Sequence, residues 1–167
     1  MTVLMTERLV LAPLTHALIQ KRLENDDFEL DIVDVGAVRF EPNWPGNALG
    51  MLPRLLAAET DPVPDSYTAI ERASSSAVGV LGTTSEVDAN GAIEIGYAFG
   101  LPGHGFATEA VRALVAHLLA SASIVAVTAS TPATAVASHR VLQKNGFRQT
   151  GTASKDEEGD LLVWTHN

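Results

Sequence analysis

The chain has 167 residues, of which 11 are Lys or Arg and 20 are Asp or Glu, so its formal net charge is −9. That length predicts a single domain over residues 1–167, and a hydrophobic content of 46% is too high for a disordered chain. The acidic balance argues against a nucleic-acid partner, which requires clustered Lys and Arg, and favours a cationic or amine-bearing partner.

Cysteine content and apolar segments narrow the class of protein further. The chain has no cysteine, which excludes disulfides, thiolate metal sites and cysteine-based covalent catalysis. No apolar stretch reaches the ~18–20 residues that span a bilayer, and residues 1–8 lack the pattern of a signal peptide. We expect a cytoplasmic protein with no membrane partner. We expect no metal either, because metal-ligand spacing is missing from His16, His117, His139 and His166.

The first third of the chain predicts one strand and one helix before a less regular stretch. Residues 8–14 are typical of a short strand, and Thr15 supplies the N-cap oxygen for a helix that reaches about Leu23. Residues 25–65 are acidic and rich in proline, so we expect loops there with one helix near residues 51–59. Because loops vary without harming a core, this stretch is where we expect substrate specificity.

The middle of the chain predicts three neighbouring antiparallel strands, over residues 66–72, 77–84 and 92–99. An Asn-Gly turn at residues 90–91 leads into the third strand. Bulky apolar residues occupy one face of that strand, whereas the other face carries small residues and a single carboxylate, Glu94.

A glycine-rich turn over residues 100–105 follows, and then an amphipathic helix. Apolar residues recur at helical spacing along this helix, at Ala107, Ala110, Val111, Leu114, Val115 and Leu118. A strand over 124–129 and a second helix over 134–145 come next. The last strands are predicted over 147–151 and 161–165, around a charged turn at 155–160.

A strand that leads through a glycine-rich turn into a helix is a typical anion-binding arrangement, because helix N–H groups and the helix dipole converge there. Two nucleotide motifs fit poorly. The Lys-Ser/Thr pair of a P-loop is replaced by Phe106-Ala107, and Thr108 stands where a dinucleotide fingerprint needs its third glycine. A nucleotide-binding domain for ATP or NAD remains a third hypothesis.

Three segments resemble the GNAT acetyltransferases: residues 94–97, 103–110 and 138–147. The opening segment, residues 6–15, is similar to the Rim-type branch of that family, which acetylates ribosomal-protein N-termini. The resemblance covers most of the chain outside residues 25–65. It implies a mixed, mostly antiparallel α/β sheet of six or seven strands with helices on both faces. It also implies a single acetyltransferase domain that uses acetyl-CoA as its cosubstrate.

The resemblance also implies site residues. The turn would bind the pyrophosphate of acetyl-CoA through Gly103, His104, Gly105, Phe106, Ala107 and Thr108. Phe99 and Leu101 would offer backbone groups to the pantetheine arm, and Arg140 would pair with cofactor phosphates. A solvated loop histidine is the alternative interpretation of His104, and a solvated helix charge that of Arg140. The family transfers the acetyl group directly to a neutral amine, without an acyl-enzyme.

Two residues are candidates for proton transfer. Ser138 shares a helical face with Val141, Leu142 and Asn145, so we expect it to point inward and to protonate the leaving thiolate. Glu94 is the candidate base, acting directly or through water. The alternatives are a small packing residue for Ser138 and an exposed strand residue for Glu94.

Three positions depart from the family pattern. Pro102 replaces a basic or aromatic residue, Ala135 stands at the position of a cofactor-contacting asparagine, and Ala12 replaces a common arginine. The loop between Tyr97 and Gly105 is also about two residues short. A non-catalytic acyl-CoA-binding or regulatory module of the same fold is therefore the second hypothesis. The sequence does not fix the acceptor amine, and it leaves open whether the chain forms a homodimer.

Overall fold

Ten strands and four α-helices lie in residues 1–155 and 159–167, the part of the chain that the computed structural model describes. The first half contains β1 (Leu4–Met5), β2 (Leu9–Pro13), α1 (His16–Glu24), β3 (Phe28–Ile32), β4 (Gly36–Phe40), a 3₁₀ helix (Gly46–Met51), α2 (Leu52–Leu56) and β5 (Ser66–Glu71). The second half contains β6 (Ser76–Thr83), β7 (Ala92–Phe99), α3 (Phe106–Leu119), β8 (Ala126–Pro132), α4 (Val136–Lys144), β9 (Arg148–Lys155) and β10 (Gly159–His166). The fold is mixed α/β with mostly antiparallel strands, as predicted.

The chain divides into two compact units. The first unit comprises Met1–Gly82 and Tyr97–Ala110, and the second comprises Thr83–Gly96 and Val111–Asn167. In the first unit, β1, β2, β5 and β6 pair antiparallel in that order. A β3–β4 hairpin joins β6 through a short parallel pairing at Arg39 and Ser76.

The core of the first unit is built on aromatic and branched aliphatic side chains. Phe28 stacks on Phe40 with ring centroids 4.8 Å apart, and Phe40 meets Trp44 edge-on at the same separation. Buried beside them is Arg22 of α1, whose Nε donates to the Trp44 carbonyl at 2.7 Å. A buried guanidinium is tolerated only when its donors are satisfied, so this contact fixes α1 against the 42–45 loop.

In the second unit, the first half of β7 pairs parallel with β8, with Glu94 opposite Thr128. β8 pairs antiparallel with β10, which pairs in turn with β9. The buried stripe of α3 in this unit consists of Val111, Leu114, Val115 and Leu118, the apolar residues predicted from helical spacing. At the other end of β8, the Trp164 indole N–H donates to the Thr131 hydroxyl at 3.0 Å.

Most predicted elements are confirmed, including the Thr15 N-cap, whose side chain accepts from the Leu18 N–H. The expectation of loops over residues 25–65 is wrong in part, because β3 and β4 form a hairpin there. Phe28 and Leu30 point inward and alternate with exposed Glu29 and Asp31, so the period of a strand is present beneath the acidic composition.

The number of strands and the length of one helix differ from the prediction. The structure has ten strands in its described residues rather than six or seven. Three strands, β1, β3 and β4, were not predicted, and the two candidate final strands are both present as β9 and β10. The helix expected near residues 51–59 is confined to Leu52–Leu56 and follows the 3₁₀ helix. The charged turn predicted at 155–160 lies largely at residues 156–158, outside the described residues.

Gly79 of β6 provides a test of the packing at the end of β7. A Cβ added to Gly79 would lie 2.6 Å from the Ala98 carbonyl oxygen and 2.6 Å from the Phe99 ring. Because a backbone atom cannot move aside cheaply, we expect Gly79→Ala to lower the free energy of unfolding by about 1–3 kcal/mol in urea denaturation. Gly50→Ala is the matched control, since nothing lies within 4 Å of its Cβ. Equal stabilities of the two variants would contradict the prediction.

Candidate active site

The glycine-rich turn begins where β7 ends at Phe99. The Gly100 N–H still donates to the Val78 carbonyl of β6 at 3.2 Å, and residues 101–105 then leave the strand and are exposed. Gly103 has φ +83° and Gly105 has φ +75°, a conformation that L side chains rarely adopt. A Cβ added at Gly103 would find nothing within 4 Å, so the turn is open on that side.

The first turn of α3 starts directly after Gly105. The Glu109 N–H donates to the Gly105 carbonyl at 3.1 Å, so the amides of Phe106 and Ala107 precede this first intrahelical hydrogen bond. Phe106 is buried and anchors the helix start, whereas Ala107 is half-buried. An exposed glycine turn at the start of a 14-residue helix is the geometry that favours a phosphate-bearing ligand.

The N-terminal segment holds this turn from one side through Glu109. One carboxylate oxygen of Glu109 accepts from the Thr6 hydroxyl at 2.6 Å and from the Arg8 N–H at 2.7 Å. The other accepts from Arg8 Nε at 2.8 Å. Arg8 Nη1 also donates to the His104 carbonyl at 2.8 Å, and the guanidinium lies 4.8 Å from the centre of the Phe106 ring.

The same contacts set the pKa of Glu109. Burial alone would raise it, but hydrogen bonds from Thr6 and from the backbone and side chain of Arg8, with the charge of Arg8, outweigh burial and lower the pKa of Glu109 below its usual value of 4.5. Sequence reasoning missed Thr6 and Arg8 as partners of Glu109. A single sequence carries no signal that side chains 103 and 101 residues apart meet.

Glu94 occupies the second unit, on β7. Its two carboxylate oxygens accept from the Thr84 hydroxyl at 2.7 Å and from the Ser130 hydroxyl at 3.0 Å. The Glu94 N–H donates to the Ser85 hydroxyl at 3.1 Å. The half-buried carboxylate is therefore oriented by hydroxyls, which leave each oxygen further capacity to accept a proton or an N–H.

Ser138 is half-buried on α4, one turn before Leu142, the residue of this helix that is fully buried. Its neighbour His139 fixes the helix, because the ring Nε2 lies 3.0 Å from the Pro132 carbonyl and the ring is 5.4 Å from that of Trp164. Arg140 is exposed on the same helix. Both proton-transfer candidates therefore belong to the second unit.

Apart from Arg140, the residues predicted for the cofactor belong to the first unit. Phe99 is half-buried at the end of β7, and Leu101 is exposed. His104 is exposed and stacks on Phe106, with ring centroids 5.6 Å apart. Thr108 and Ala107 are half-buried in the first turn of α3. The predicted turn residues thus form one continuous segment, which is exposed up to Gly105 and becomes buried at Phe106.

A cavity of about 210 Å³ adjoins the start of this segment. Its lining includes Gly100 and Leu101 together with residues from distant parts of the chain, among them Glu41, Asn43 and Glu71. Asn43 approaches Gly100 closely, since a Cβ there would lie 3.2 Å from the Asn43 amide nitrogen. The 25–65 stretch therefore reaches the end of β7.

The strand, open turn and helix define a mixed α/β protein whose glycine turn has a geometry that favours an anionic ligand. The family model described as the acetyltransferase (GNAT) domain matches residues 18–148. The chain belongs to the GNAT family of acetyltransferases, and the prediction of an acyltransferase is confirmed. A search of curated protein sequences gives no match.

Solved structures with this fold cover nearly the whole chain. A GNAT-family acetyltransferase from Bacillus anthracis is similar with a TM-score of 0.67 and 18% identity, over 99% of this chain and 98% of that one. RimL, a ribosomal L7/L12 alpha-N-protein acetyltransferase solved with coenzyme A, has a TM-score of 0.69 and 17% identity, over 99% and 97%. The Salmonella typhimurium enzyme that modifies the N-terminal serine of L7/L12 has a TM-score of 0.68 and 15% identity, over 99% and 98%. The Rim-type branch therefore shares this fold.

Two further observations concern the described residues only. None of their helices is long and apolar enough to cross a membrane. Within the same residues, His, Asp and Glu side chains form no group of three or more that could hold a metal ion.

The lowered pKa of Glu109 predicts a pH-dependent contribution to stability. A lowered folded-state pKa stabilises the protein above the unfolded value of 4.5, and this stabilisation is lost as the pH falls through the folded value. We expect Glu109→Gln to lower the melting temperature clearly at pH 7 and progressively less below pH 4.5. Glu29→Gln, at an exposed position of β3, is the control. A melting-temperature deficit of Glu109→Gln that stays constant from pH 7 to pH 3.5 would speak against this account.

Proposed function

We propose that the chain is an acetyl-CoA-dependent N-acetyltransferase that works as one domain and transfers its acetyl group directly to a primary amine. The observation that carries the proposal is the open turn at Gly103–Gly105, which leads from β7 into α3 in a chain of the GNAT family. Positive φ values and open space at Gly103 are what a backbone needs to approach a diphosphate closely. RimL, which shares the fold, was solved with coenzyme A.

The cofactor assignments follow from this turn. Residues Gly103 to Thr108 would hold the diphosphate through their backbone, and Phe99 and Leu101 would hold the pantetheine arm. His104 and Arg140 are exposed, which suits contacts with phosphate oxygens at the surface. The short 97–105 loop and Ala135 alter the family pattern, so we assign the diphosphate to the turn alone and give Arg140 a supporting role.

The chemistry requires a neutral amine. An α-amine has a pKa of about 7.7–8.0 and a lysine about 10.4, so a base has to remove a proton near neutral pH. Glu94 would accept that proton, directly or through water, while Thr84 and Ser130 orient its carboxylate. The amine nitrogen then attacks the acetyl carbonyl, the new C–N bond forms and the C–S bond breaks. Ser138 would protonate the departing thiolate and regain a proton, by way of water, from the nitrogen that has become the amide.

The acceptor is proposed from charge and from similar proteins. The net charge of −9 and the carboxylates of Glu41 and Glu71 at the cavity favour a cationic amine. The similar ribosomal-protein enzymes act on a protein N-terminus. We therefore propose a protein N-terminus or a polyamine-like small molecule as the acceptor, met in the cytoplasm.

A non-catalytic acyl-CoA-binding module is the second candidate. The observation that favours it is the start of α4, where Ala135 makes no side-chain capping hydrogen bond and replaces an asparagine of the family pattern. Such a module would bind coenzyme A without turnover. Substitution of Ser138 would have no effect on acetyl transfer, because such a module transfers no acetyl group.

Ligand binding and turnover distinguish these functions. We expect saturating acetyl-CoA or coenzyme A to raise the melting temperature, because a ligand that binds only the folded state stabilises it. ATP and NAD should give no comparable shift. A panel of Ser-initiated peptides and polyamines should accelerate release of free coenzyme A. A shift without turnover across the panel would support the non-catalytic module, and no shift with acetyl-CoA would overturn both.

Substitutions at the two proton-transfer candidates test the mechanism. We expect Glu94→Gln and Ser138→Ala each to lower kcat by about 10²-fold, the usual effect of one positioned acid or base, with an unchanged thermal shift by acetyl-CoA. The Glu94→Gln rate should recover as the pH rises, because the amine then loses its proton to solvent. Glu29→Gln and Ser121→Ala, both exposed, are the controls. Wild-type kcat in either active-site variant would remove that residue from the mechanism.

A further inference from the structure

We propose that Arg8 is a positioning residue for the acetyl-CoA diphosphate: it fixes the backbone of residues 104–106 and neutralises Glu109 at the start of α3. This inference rests on the proposed function, because it assumes that the turn binds the diphosphate. It adds a residue outside the turn, contributed by the segment before β2, to the machinery of cofactor binding.

The guanidinium of Arg8 contacts Glu109, His104 and Phe106 at the same time. Nε donates to Glu109 at 2.8 Å, Nη1 donates to the His104 carbonyl at 2.8 Å, and Cζ lies 4.8 Å from the centre of the Phe106 ring. Nη2 is close to Gly105 between them, since a Cβ there would lie 3.2 Å away. One planar group therefore restrains three consecutive residues of the turn.

Charge gives Arg8 a second role. A carboxylate in the first turn of a helix is favourable for the helix itself, but it repels an anion that binds at the same end. Glu109 lies there with its side chain 15% exposed, and Arg8 pairs with it directly. The pair contributes no net negative charge, so the positive end of the helix dipole stays available to the diphosphate.

Arg8 is itself held in place by neighbouring backbone. Its N–H donates to Glu109, and its carbonyl accepts from the Arg72 N–H at 2.9 Å. The Arg72 side chain donates to the carbonyl of Glu7 at 3.0 Å. Because the backbone on both sides is fixed, the guanidinium can act as a rigid support for the turn.

The identity of the side chain matters for this role. Arginine presents a planar fork of five N–H donors, so it can bond a carboxylate along one edge and a carbonyl along another while it stacks on an aromatic ring. A lysine ammonium is a point charge that can neutralise Glu109 but cannot make all three contacts. Arg8→Lys therefore separates the positioning of the turn from simple charge neutralisation.

The test compares cofactors with and without the diphosphate. For Arg8→Met we expect KM for acetyl-CoA to rise about tenfold with kcat changed less than about twofold, as for loss of one charge-assisted contact. The kcat/KM for S-acetylpantetheine, which lacks the diphosphate, should stay at the wild-type value. Arg39→Met is the matched control, since it removes an arginine paired with Asp27 at 3.0 Å and changes the net charge equally. Arg39→Met should leave both cofactors unaffected.

Further variants make the result decisive. Arg8→Lys should raise KM for acetyl-CoA less than Arg8→Met does but still above the wild-type value, because lysine keeps the charge and loses the positioning contacts. Full rescue by lysine would overturn the positioning role. An equal loss with S-acetylpantetheine would overturn it too, as would an unchanged KM for acetyl-CoA in Arg8→Met. If Arg8→Met does not fold, Arg8→Lys takes its place, and we expect for it a raised KM for acetyl-CoA with an unchanged kcat/KM for S-acetylpantetheine. A wild-type protein that neither binds nor uses acetyl-CoA would overturn the proposed function instead.

Discussion

The hydrogen-bonded ion pair between Arg8 and Glu109 is the interaction on which the glycine turn depends. The Glu109 carboxylate accepts hydrogen bonds from the Thr6 hydroxyl and from the backbone and side chain of Arg8. The Arg8 side chain also donates to the His104 carbonyl and so restrains the turn. A turn with two glycines at positive φ has much conformational freedom in the unfolded chain. Contacts that already limit this freedom in the folded chain reduce the conformational entropy that would be lost when a ligand binds.

Elements with a strong local pattern could be predicted from the sequence. The stripe of α3 and the Thr15 cap of α1 are encoded within one or two turns, so neighbouring residues suffice to identify them. The β3–β4 hairpin was not predicted, because the acidic residues in Phe28–Ile32 suggest a loop by their number, whereas their alternation with apolar residues indicates a strand. Its stability comes from burial of Phe28 and Phe40 in a core made of distant residues.

The site shows the same division between local and distant information. Turn residues 103–108 are consecutive, so the sequence alone could group them, and the family resemblance supplied their roles. Arg8 lies 101 residues from Glu109 along the chain, and a single sequence carries no signal that the two side chains meet. The hydroxyls that orient Glu94 are equally distant, for Ser130 lies 36 residues beyond it. The residues assigned to the ligand could thus be grouped from the sequence, whereas the residues that contact and orient them could not.

Residues 25–65, the stretch that was predicted least well, are connected to the end of β7 through hydrogen bonds to backbone carbonyls. Trp44 is buried, its indole N–H donates to the Gly79 carbonyl at 3.2 Å, and its own carbonyl accepts from Arg22. Gly79 is the residue whose missing side chain lets Ala98 and Phe99 of β7 approach β6. The loop that carries Asn43 is therefore fixed to the point where β7 ends and the turn begins. Exposed side chains on this loop can therefore vary without disturbing the turn, because the loop is anchored through backbone carbonyls and one tryptophan rather than through its exposed residues.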